Sequence, residues 1–393
     1  MKMTFVSNYF NHHQLPLSNA LYEALGTDYC FLQTIPMEAE RVEMGWQEGL
    51  EHVTYVRLFH DCVEESKQLI LTSDIVIFGG VEDESYIQER LQQGKLVLRY
   101  SERLYREGVW KAISPRGLWK KYHDHTKYRN KPVYLLCSGG YVAYDFSIVR
   151  AYANKMFRFG YFPEYIPYEL NQLMERKPQG TIQLLWAGRF LTLKHPEMVL
   201  HVAKHLKKQE VPFHINVVGG GELEPMMKEA VANERLEDVI TLHGFQSPAC
   251  VRTYMEQSNI FLFTSDYREG WGAVLNEAMN AGCAVVASHA IGAVPFLVQQ
   301  GENGLIYQNG NVEEFVTHVQ NLVENASLRE RLGRNAYDTI STQWNAGEVA
   351  QRLLKLCEKL IKCDMIWEET GPLSKAPVVK ERKMYGVLNK KSP

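Results

Sequence analysis

At 393 residues the chain exceeds what one hydrophobic core usually holds, so two domains are expected. An apolar fraction of 45% and a charged fraction of 23% exclude a disordered or fibrous class, and a net charge of −3 excludes a global pull toward nucleic acid or anionic lipid. No run approaches the roughly 18–20 apolar residues of a spanning helix, so any membrane contact is expected to be peripheral.

The seven cysteines, at positions 30, 62, 137, 250, 283, 357 and 363, form no C-x-x-C pair. A scattered, odd set points to reduced thiols in a cytoplasm. The start, MKMTFVSNYFNHHQ, has no long apolar h-region and does not read as a signal peptide.

Met3–Asn8 is short, apolar and rich in strand formers. Tyr29–Gln33, Ile75–Phe78, Leu96–Tyr100 and Val133–Ser138 are similar. Helical patterns lie between them at Leu17–Leu25, His60–Leu71, Ser85–Gln92 and Ala143–Lys155. Continuous apolar strands alternating with helices imply a parallel sheet covered on both faces, a Rossmann-like α/β domain. Pro163–Gly180 carries three prolines and reads as the interdomain connection.

The alternation then restarts. Strands are expected at Ile182–Ala187, Phe213–Val218, Val239–Leu242, Ile260–Thr264, Ala284–Ala287 and Leu305–Tyr307. Helices are expected at Pro196–Gln209, Leu223–Asn233, Ala249–Gln257, Ala273–Ala281 and Val312–Glu324. Glu313–Lys362 is helical by pattern with a break at Trp344, and the tail from Thr370 reads as irregular.

Asp266–Ala281, DYREGWGAVLNEAMNA, joins two of these strands. Glu269 falls in the loop, Gly270 and Gly272 admit close approach to a ligand, and Glu277 lies near the start of the next helix. Free N–H groups at a helix start suit an anion, and nearby carboxylates suit hydroxyls. Acidic residues also gather at helix starts merely by complementing the dipole. The whole string, EGWGAVLNEAMNAGCAVVAS, is more specific. It resembles the Glu-x7-Glu motif of retaining glycosyltransferases of GT-B fold, particularly glycosyltransferase family 4.

The resemblance implies an α/β GT-B architecture: two Rossmann-like domains facing across a cleft, with a last helix, here Glu348–Lys362, crossing back to the first. The expected division is 1–170 for an acceptor domain, 171–345 for a nucleotide-sugar donor domain, and 346–393 for the crossover helix and tail. Glu277 is then expected on the ribose hydroxyls and Glu269 at the donor sugar. The N–H groups around Gly272, Ala273 and Val274 are expected on the phosphates.

In Trp186–Lys194, WAGRFLTLK, Arg189 and Lys194 flank the loop at a strand's carboxyl end, where open α/β sheets bind ligands. Both are ordinary surface cations if taken alone. By resemblance they are the paired cations of the donor diphosphate and, with Glu269, the catalytic candidates. VVGGGE places Gly219, Gly220 and Gly221 after the next strand, as a donor-side loop or a tight turn. Leu242–Gln246, LHGFQ, resembles the loop around the nucleobase, which makes Phe245 a donor-side candidate.

The first half departs from the family pattern. Asn8–Leu15, NYFNHHQL, replaces a glycine-rich loop, so Asn11, His12, His13 and Gln14 are candidates for acceptor or phosphate, with the histidines neutral or charged near pH 7. A polar loop capping the next helix is the plainer reading. Tyr100-Ser101-Glu102-Arg103 stands where relatives often carry a His, which makes Glu102 a candidate acceptor-binding or proton-accepting group. Arg103–Lys131 holds nine Lys/Arg against two acids, a local balance of +7, with Trp110, Trp119 and Tyr122 interleaved. Such a segment can rest on anionic lipid or form a solvated loop with packed aromatics.

The expected activity is therefore sugar transfer from a nucleotide-diphosphate sugar to a carbohydrate or polyprenyl-diphosphate-linked acceptor. By resemblance it retains configuration, needs no metal or further cofactor, and serves surface-glycan synthesis inside the cell or on the inner face of its membrane. Nucleic acid is not an expected partner. The rivals are a GT-B nucleotide-sugar epimerase or hydrolase, and a non-catalytic nucleotide-sugar-binding subunit. A dinucleotide oxidoreductase is disfavoured because the first strand lacks a glycine fingerprint.

Overall fold

The computed structural model describes residues 1–38, 42, 50, 52–364 and 368–390. The chain forms two compact units: Met1–Glu164 with Trp344–Val379, and Tyr165–Gln343 with Lys380–Pro393. These limits differ from the expected division at both boundaries, the chain returning to the first unit at Trp344, and in the last segment. The connection changes unit at Glu164, and the last segment lies in the second unit rather than the first.

The first unit is a parallel sheet of β1 (Met3–Ser7), β2 (Tyr29–Gln33), β3 (Val56–Leu58), β4 (Ile75–Gly79), β5 (Val97–Ser101), β6 (Val133–Ser138) and β7 (Met156–Phe159). Their order is β3-β2-β1-β4-β5-β6-β7. β1 and β4 are buried along their whole length, as continuous apolar runs covered on both faces should be.

β3 and β7 are additions to the expected strands, for different reasons. β3 is a three-residue edge strand with little burial, too short to leave a pattern. β7 hides in what reads as the end of a helix. That helix is Val142–Ile148, and left-handed residues at Arg150, Tyr152 and Asn154 then turn the chain into β7.

The helix Ala346–Ile361 is part of the first unit and packs on the helix Leu15–Leu25. Its start is set by Asn345, whose side chain accepts from the Glu348 N–H at 3.0 Å. Val349, Leu353, Leu356 and Leu360 recur at helical spacing and are buried. Each buried aliphatic side chain of this kind contributes about 1.5–3 kcal/mol. The tail is not irregular throughout: Lys375 bridges Phe157 antiparallel beside β7, and Glu381–Leu388 is helical.

The second unit repeats the plan with β8 (Ile182–Ala187), β9 (Phe213–Val218), β10 (Ile240–Leu242), β11 (Ile260–Phe263), β12 (Ala284–Ser288) and β13 (Leu305–Tyr307). The order is β10-β9-β8-β11-β12-β13, all parallel. One face is closed by Val199, Val202 and Leu206 of the helix Met198–Lys208 and by Phe315, Val319 and Leu322 of the helix Val312–Glu324. β8 and β11 adjoin although β9 and β10 intervene in sequence. The chain therefore leaves them toward opposite sides, and the crevice at their carboxyl ends is the switch point of the sheet.

Candidate functional site

Arg189 and Lys194 follow β8, and Glu269 follows β11, so the switch point of the second unit brings them together. Lys194 and Glu269 form an ion pair, and their side chains are only 16% and 14% exposed. Arg189 is exposed and has no ion-pair partner among the described residues.

The loops around them are held by backbone contacts. Gly188 N–H donates to Val218 at 3.0 Å, Phe190 N–H to Gly220 at 2.9 Å, and Gly219 N–H to Gly244 at 2.8 Å. Gly219 has φ of 137°, and a Cβ there would sit 1.9 Å from the Gly188 carbonyl oxygen, so only glycine lets the loops after β8 and β9 meet. Gly221 is similarly close to the Phe190 backbone. Gly220 lies beside Phe245, a residue that is 73% exposed. Gly272 has φ of 88°, and a Cβ there would strike the Phe263 ring.

The next helix is Val274–Asn280, entered through Gly272 and Ala273, with Glu277 in its first turn. Glu277 faces Arg252, whose Nη2 lies 3.9 Å from Oε1, and Arg252 Nη1 donates to the Glu277 carbonyl at 3.2 Å. The Glu277 side chain keeps 29% exposure, so it is oriented without being sealed off.

Sequence reasoning missed several residues that build this site. Gly292, in the loop after β12, lies against the Glu269–Gly270 backbone, and Ala293 N–H donates to the Trp271 carbonyl at 3.1 Å. His195 spans Glu197 and Asp266. Arg268 grips Asp266 with Nη2 at 2.7 Å and Nε at 3.1 Å. The signal for His195 and Asp266 was their adjacency to Lys194 and Glu269; Gly292 left none.

In the first unit the loop after β1 places Asn11, His12 and His13 together. Asn11 Oδ1 accepts from the His13 N–H at 3.0 Å, and the two imidazoles lie 4.0 Å apart. Burial, with His12 beside it, pushes the His13 ring down to about 3, so it is neutral near pH 7. Its ring stacks on Tyr161, 6.0 Å away. Tyr161 in turn donates to Glu102 Oε1 at 2.6 Å, and Arg106 pairs with Oε2. Tyr161 thus links the candidates after β1 and β5, and both Glu102 oxygens are engaged.

A cavity of about 360 Å³ opens at the carboxyl ends of β4 and β5. Its charged lining is balanced: Arg99 grips Glu84 with two bonds of 2.7 Å, and Lys120 lies 3.9 Å from Asp124. Lys121 and Glu82 remain at its walls. Within the basic segment beside it, Pro115–Asp124 forms a helix capped by Ser114, with none of its residues buried. The segment's charge is partly spent, since Arg103 is buried against Asp145 and Arg106 pairs with Glu102. Trp110, Ile113 and Trp119 are 67%, 79% and 66% exposed.

Two Rossmann-like units, each built on a parallel sheet with helices, define the GT-B fold. Residues 171–339 match the family model of glycosyl transferases group 1. The chain is 25% identical over 208 residues to the amylovoran biosynthesis glycosyltransferase AmsK of Erwinia amylovora, covering 52% of this chain and 50% of that one. It spans about half the length of the curated relatives it matches. The crystal structure of HepE from Anabaena in complex with UDP superposes with a TM-score of 0.67 at 15% identity, covering 91% of this chain and 100% of that one. A glycosyltransferase from Rickettsia africae superposes with a TM-score of 0.65 at 13% identity, covering 92% and 98%. No helix among the described residues is long and apolar enough to cross a membrane.

Proposed function

We propose that this protein is a retaining glycosyltransferase resembling family 4. It moves a sugar from a nucleoside diphosphate to a hydroxyl of a glycan, free or carried on a polyprenyl diphosphate, in surface-polysaccharide synthesis. The observation that carries the reading is the grouping of Arg189, Lys194 and Glu269 at the β8–β11 switch point. The family match over residues 171–339 and the UDP bound to HepE support it.

Two cations at a strand's carboxyl end suit a leaving diphosphate, whose charge grows as the C1–O bond breaks. Arg189 takes it bidentately and Lys194 as a point charge, exchanging part of its pairing with Glu269 for phosphate. Glu269 then turns to the donor sugar. Glu277 accepts from the ribose hydroxyls. The N–H groups at Gly272, Ala273 and Val274 meet the phosphates, Gly219–Gly221 offer backbone, and Phe245 flanks the base. In a same-face route, the acceptor oxygen bonds to C1 as the phosphate leaves, and its proton passes to the departing phosphate oxygen. The reading requires neither a metal ion nor another cofactor.

Acceptor groups are assigned to the first unit, with Asn11, His12, His13 and Glu102 in binding roles. Because Glu102 is engaged by Tyr161 and Arg106, it orients rather than accepts a proton. The balanced lining of the β4–β5 cavity suits hydroxyl-rich ligands. The exposed aromatics and cations of 110–122 support a peripheral position on an anionic inner membrane face.

Thermal melting with UDP, GDP and ADP and their sugars tests the core of the reading, since a ligand of the native state raises stability by mass action. A shift with one base is expected. No shift with any of them removes the donor assignment. Product analysis with and without acceptor separates transfer from epimerisation and hydrolysis.

A further inference from the structure

The loops after β8 and β11 are stitched together along their length. Asp266 N–H donates to the Leu193 carbonyl at 2.9 Å, and Thr264 Oγ1 donates to the Lys194 carbonyl at 2.6 Å. Lys194 reaches Glu269 from one side of this seam. His195 closes the other side.

The His195 backbone is left-handed, with φ of 49° and ψ of 54°. That region disfavours any residue with a Cβ, and glycine would sit there more easily. A side chain placed there against local preference invites an explanation from its contacts. Its Nδ1 lies 2.8 Å from Glu197 Oε1 and its Nε2 lies 3.3 Å from Asp266 Oδ2. Ionised carboxylates only accept, so both ring nitrogens must carry protons, and the ring is an imidazolium.

The surroundings agree. Hydrogen bonds to Asp266 and Glu197 raise the imidazole to about 9, against the opposing effect of burial. Burial works to raise Asp266, but hydrogen bonds from His195 and Arg268 outweigh it and hold the carboxyl well below its usual range. The other charged groups facing this clasp are Arg268 on Asp266, His201 near Glu197, and the Lys194–Glu269 pair.

We propose that His195 is a positioning residue: its imidazolium ties Asp266 to the loop after β8 and so sets the spacing of Lys194 and Glu269. The inference rests on the reading of that pair as the donor site. Its chemical consequence is that the diphosphate site is assembled while the imidazole is protonated and loosens when the ring becomes neutral. A neutral ring has one donor for two carboxylates, so one contact must open. Where the Asp266 contact is the one that opens, the segment Asp266–Glu269 is left tied to the loop after β8 by backbone bonds and the Lys194–Glu269 pair alone.

The test uses two variants of the full chain. His195→Gly suits the left-handed backbone and removes the ring; His195→Asn tolerates that backbone and replaces the charged ring by a neutral amide donor. Binding of UDP, GDP and ADP is measured by calorimetry from pH 7 to pH 10, alongside melting temperature. The wild type is expected to lose affinity as pH rises through about 9, beyond any change shared with the variants. Both variants are expected to bind at least about tenfold more weakly at pH 7, a loss in the range of one charge-assisted hydrogen bond, and to lack the extra alkaline limb. If His195 served only local backbone geometry, His195→Gly would bind as well as wild type. That result, or the same alkaline limb in all three proteins, overturns the proposal. Should the variants melt early, the imidazole ¹³Cε1 resonance of His195 in the wild type decides: titration near 9 supports the clasp, and titration near 6.5 overturns it. Wild-type protein that binds none of the three nucleotides refutes the donor reading itself, whereas normal wild-type binding with unaffected variants refutes only the role of His195.

Discussion

Gly292 lies where any Cβ would sit 1.7 Å from the carbonyl oxygen of Gly270. The loop after β12 therefore braces the loop that carries Glu269 by backbone contact, beside the side-chain bond between Tyr267 and His289. Gly292→Ala must push residues 269–271 away from the loop after β12 and so disturb the place of Glu269 beside Lys194. Overpacking of this kind costs about 1–3 kcal/mol and more when backbone must move. A lowered melting temperature together with loss of nucleotide binding is expected. A variant that binds nucleoside diphosphate as tightly as wild type would show that the brace does not position the site.

Glu277 is oriented by Arg252 yet remains partly exposed, which suits a carboxylate kept for a ligand. If it holds the ribose, Glu277→Ala weakens binding of the free nucleoside diphosphate. A lost charged hydrogen bond costs on the order of 1.5–3 kcal/mol, roughly ten- to a hundredfold in affinity. Unchanged calorimetric affinity would remove the assignment.

Lys194 and Arg189 should act differently from Glu277, because leaving-group charge peaks in the transition state. Lys194→Ala is expected to lower kcat more than it raises donor KM. The variant also frees Glu269 of its partner, so Lys194→Arg is the companion control. A variant with normal kcat and only a raised KM would mean that the lysine binds substrate and transition state alike.

Much of this site was legible in the sequence, and the limit has a physical cause. Glu269, Glu277, Arg189, Lys194 and the glycines sit beside strand ends, where apolar runs stop and ligand-facing loops begin. Which of those loops meet depends on the order of the strands, which only the assembled sheet shows. Gly292 and Tyr161 were not legible, because each acts through a contact made only once the sheets are assembled. β7 was hidden for a related reason: MFRF carries no turn signal before it, and three left-handed non-glycine residues make the turn. The helix Pro115–Asp124 was masked by its charge, although Ser114 and Pro115 form an N-terminal signature.

His289 gives a pH dependence that can be signed. Asn309 N–H donates to its Nδ1 at 2.9 Å, so that nitrogen is unprotonated; its Nε2 lies 2.7 Å from the Tyr267 hydroxyl. Burial, partly offset by neighbouring groups, pushes the ring down to about 4. In the unfolded chain the ring titrates near 6.5, so between that pH and about 4 the unfolded state binds more protons. Stability present above pH 6.5 is thus lost as pH falls toward 4. At about 1.36 kcal/mol per pH unit the loss is on the order of 3 kcal/mol. His289→Asn should be less stable at pH 7 and show a shallower decline between pH 6.5 and 4. Parallel acid-melting curves for the two proteins would contradict this role.

The exposed face of residues 110–122 carries the last expectation. Trp110, Ile113, Leu118, Trp119 and Tyr122 are exposed, and Arg116, Lys120 and Lys121 accompany them on or beside the same helix. Exposed tryptophans next to cations suit the headgroup layer, where a ring is half wetted and an ammonium meets anionic lipid. Because Arg103 and Arg106 are spent on Asp145 and Glu102, attraction rests on fewer cations than the sequence balance of the segment implies. Each basic group near an anionic surface gives about 1 kcal/mol, screened within a Debye length, so the aromatics must supply the rest. The protein should co-sediment with vesicles rich in anionic lipid at low salt and be only partly released by high salt. Trp119→Ala should lower the salt-resistant fraction, and Lys120→Glu with Lys121→Glu the salt-sensitive one, with nucleotide affinity unchanged in both. Wild-type protein that ignores anionic vesicles at low salt would leave a soluble glycan as the acceptor and these aromatics without a bilayer to enter.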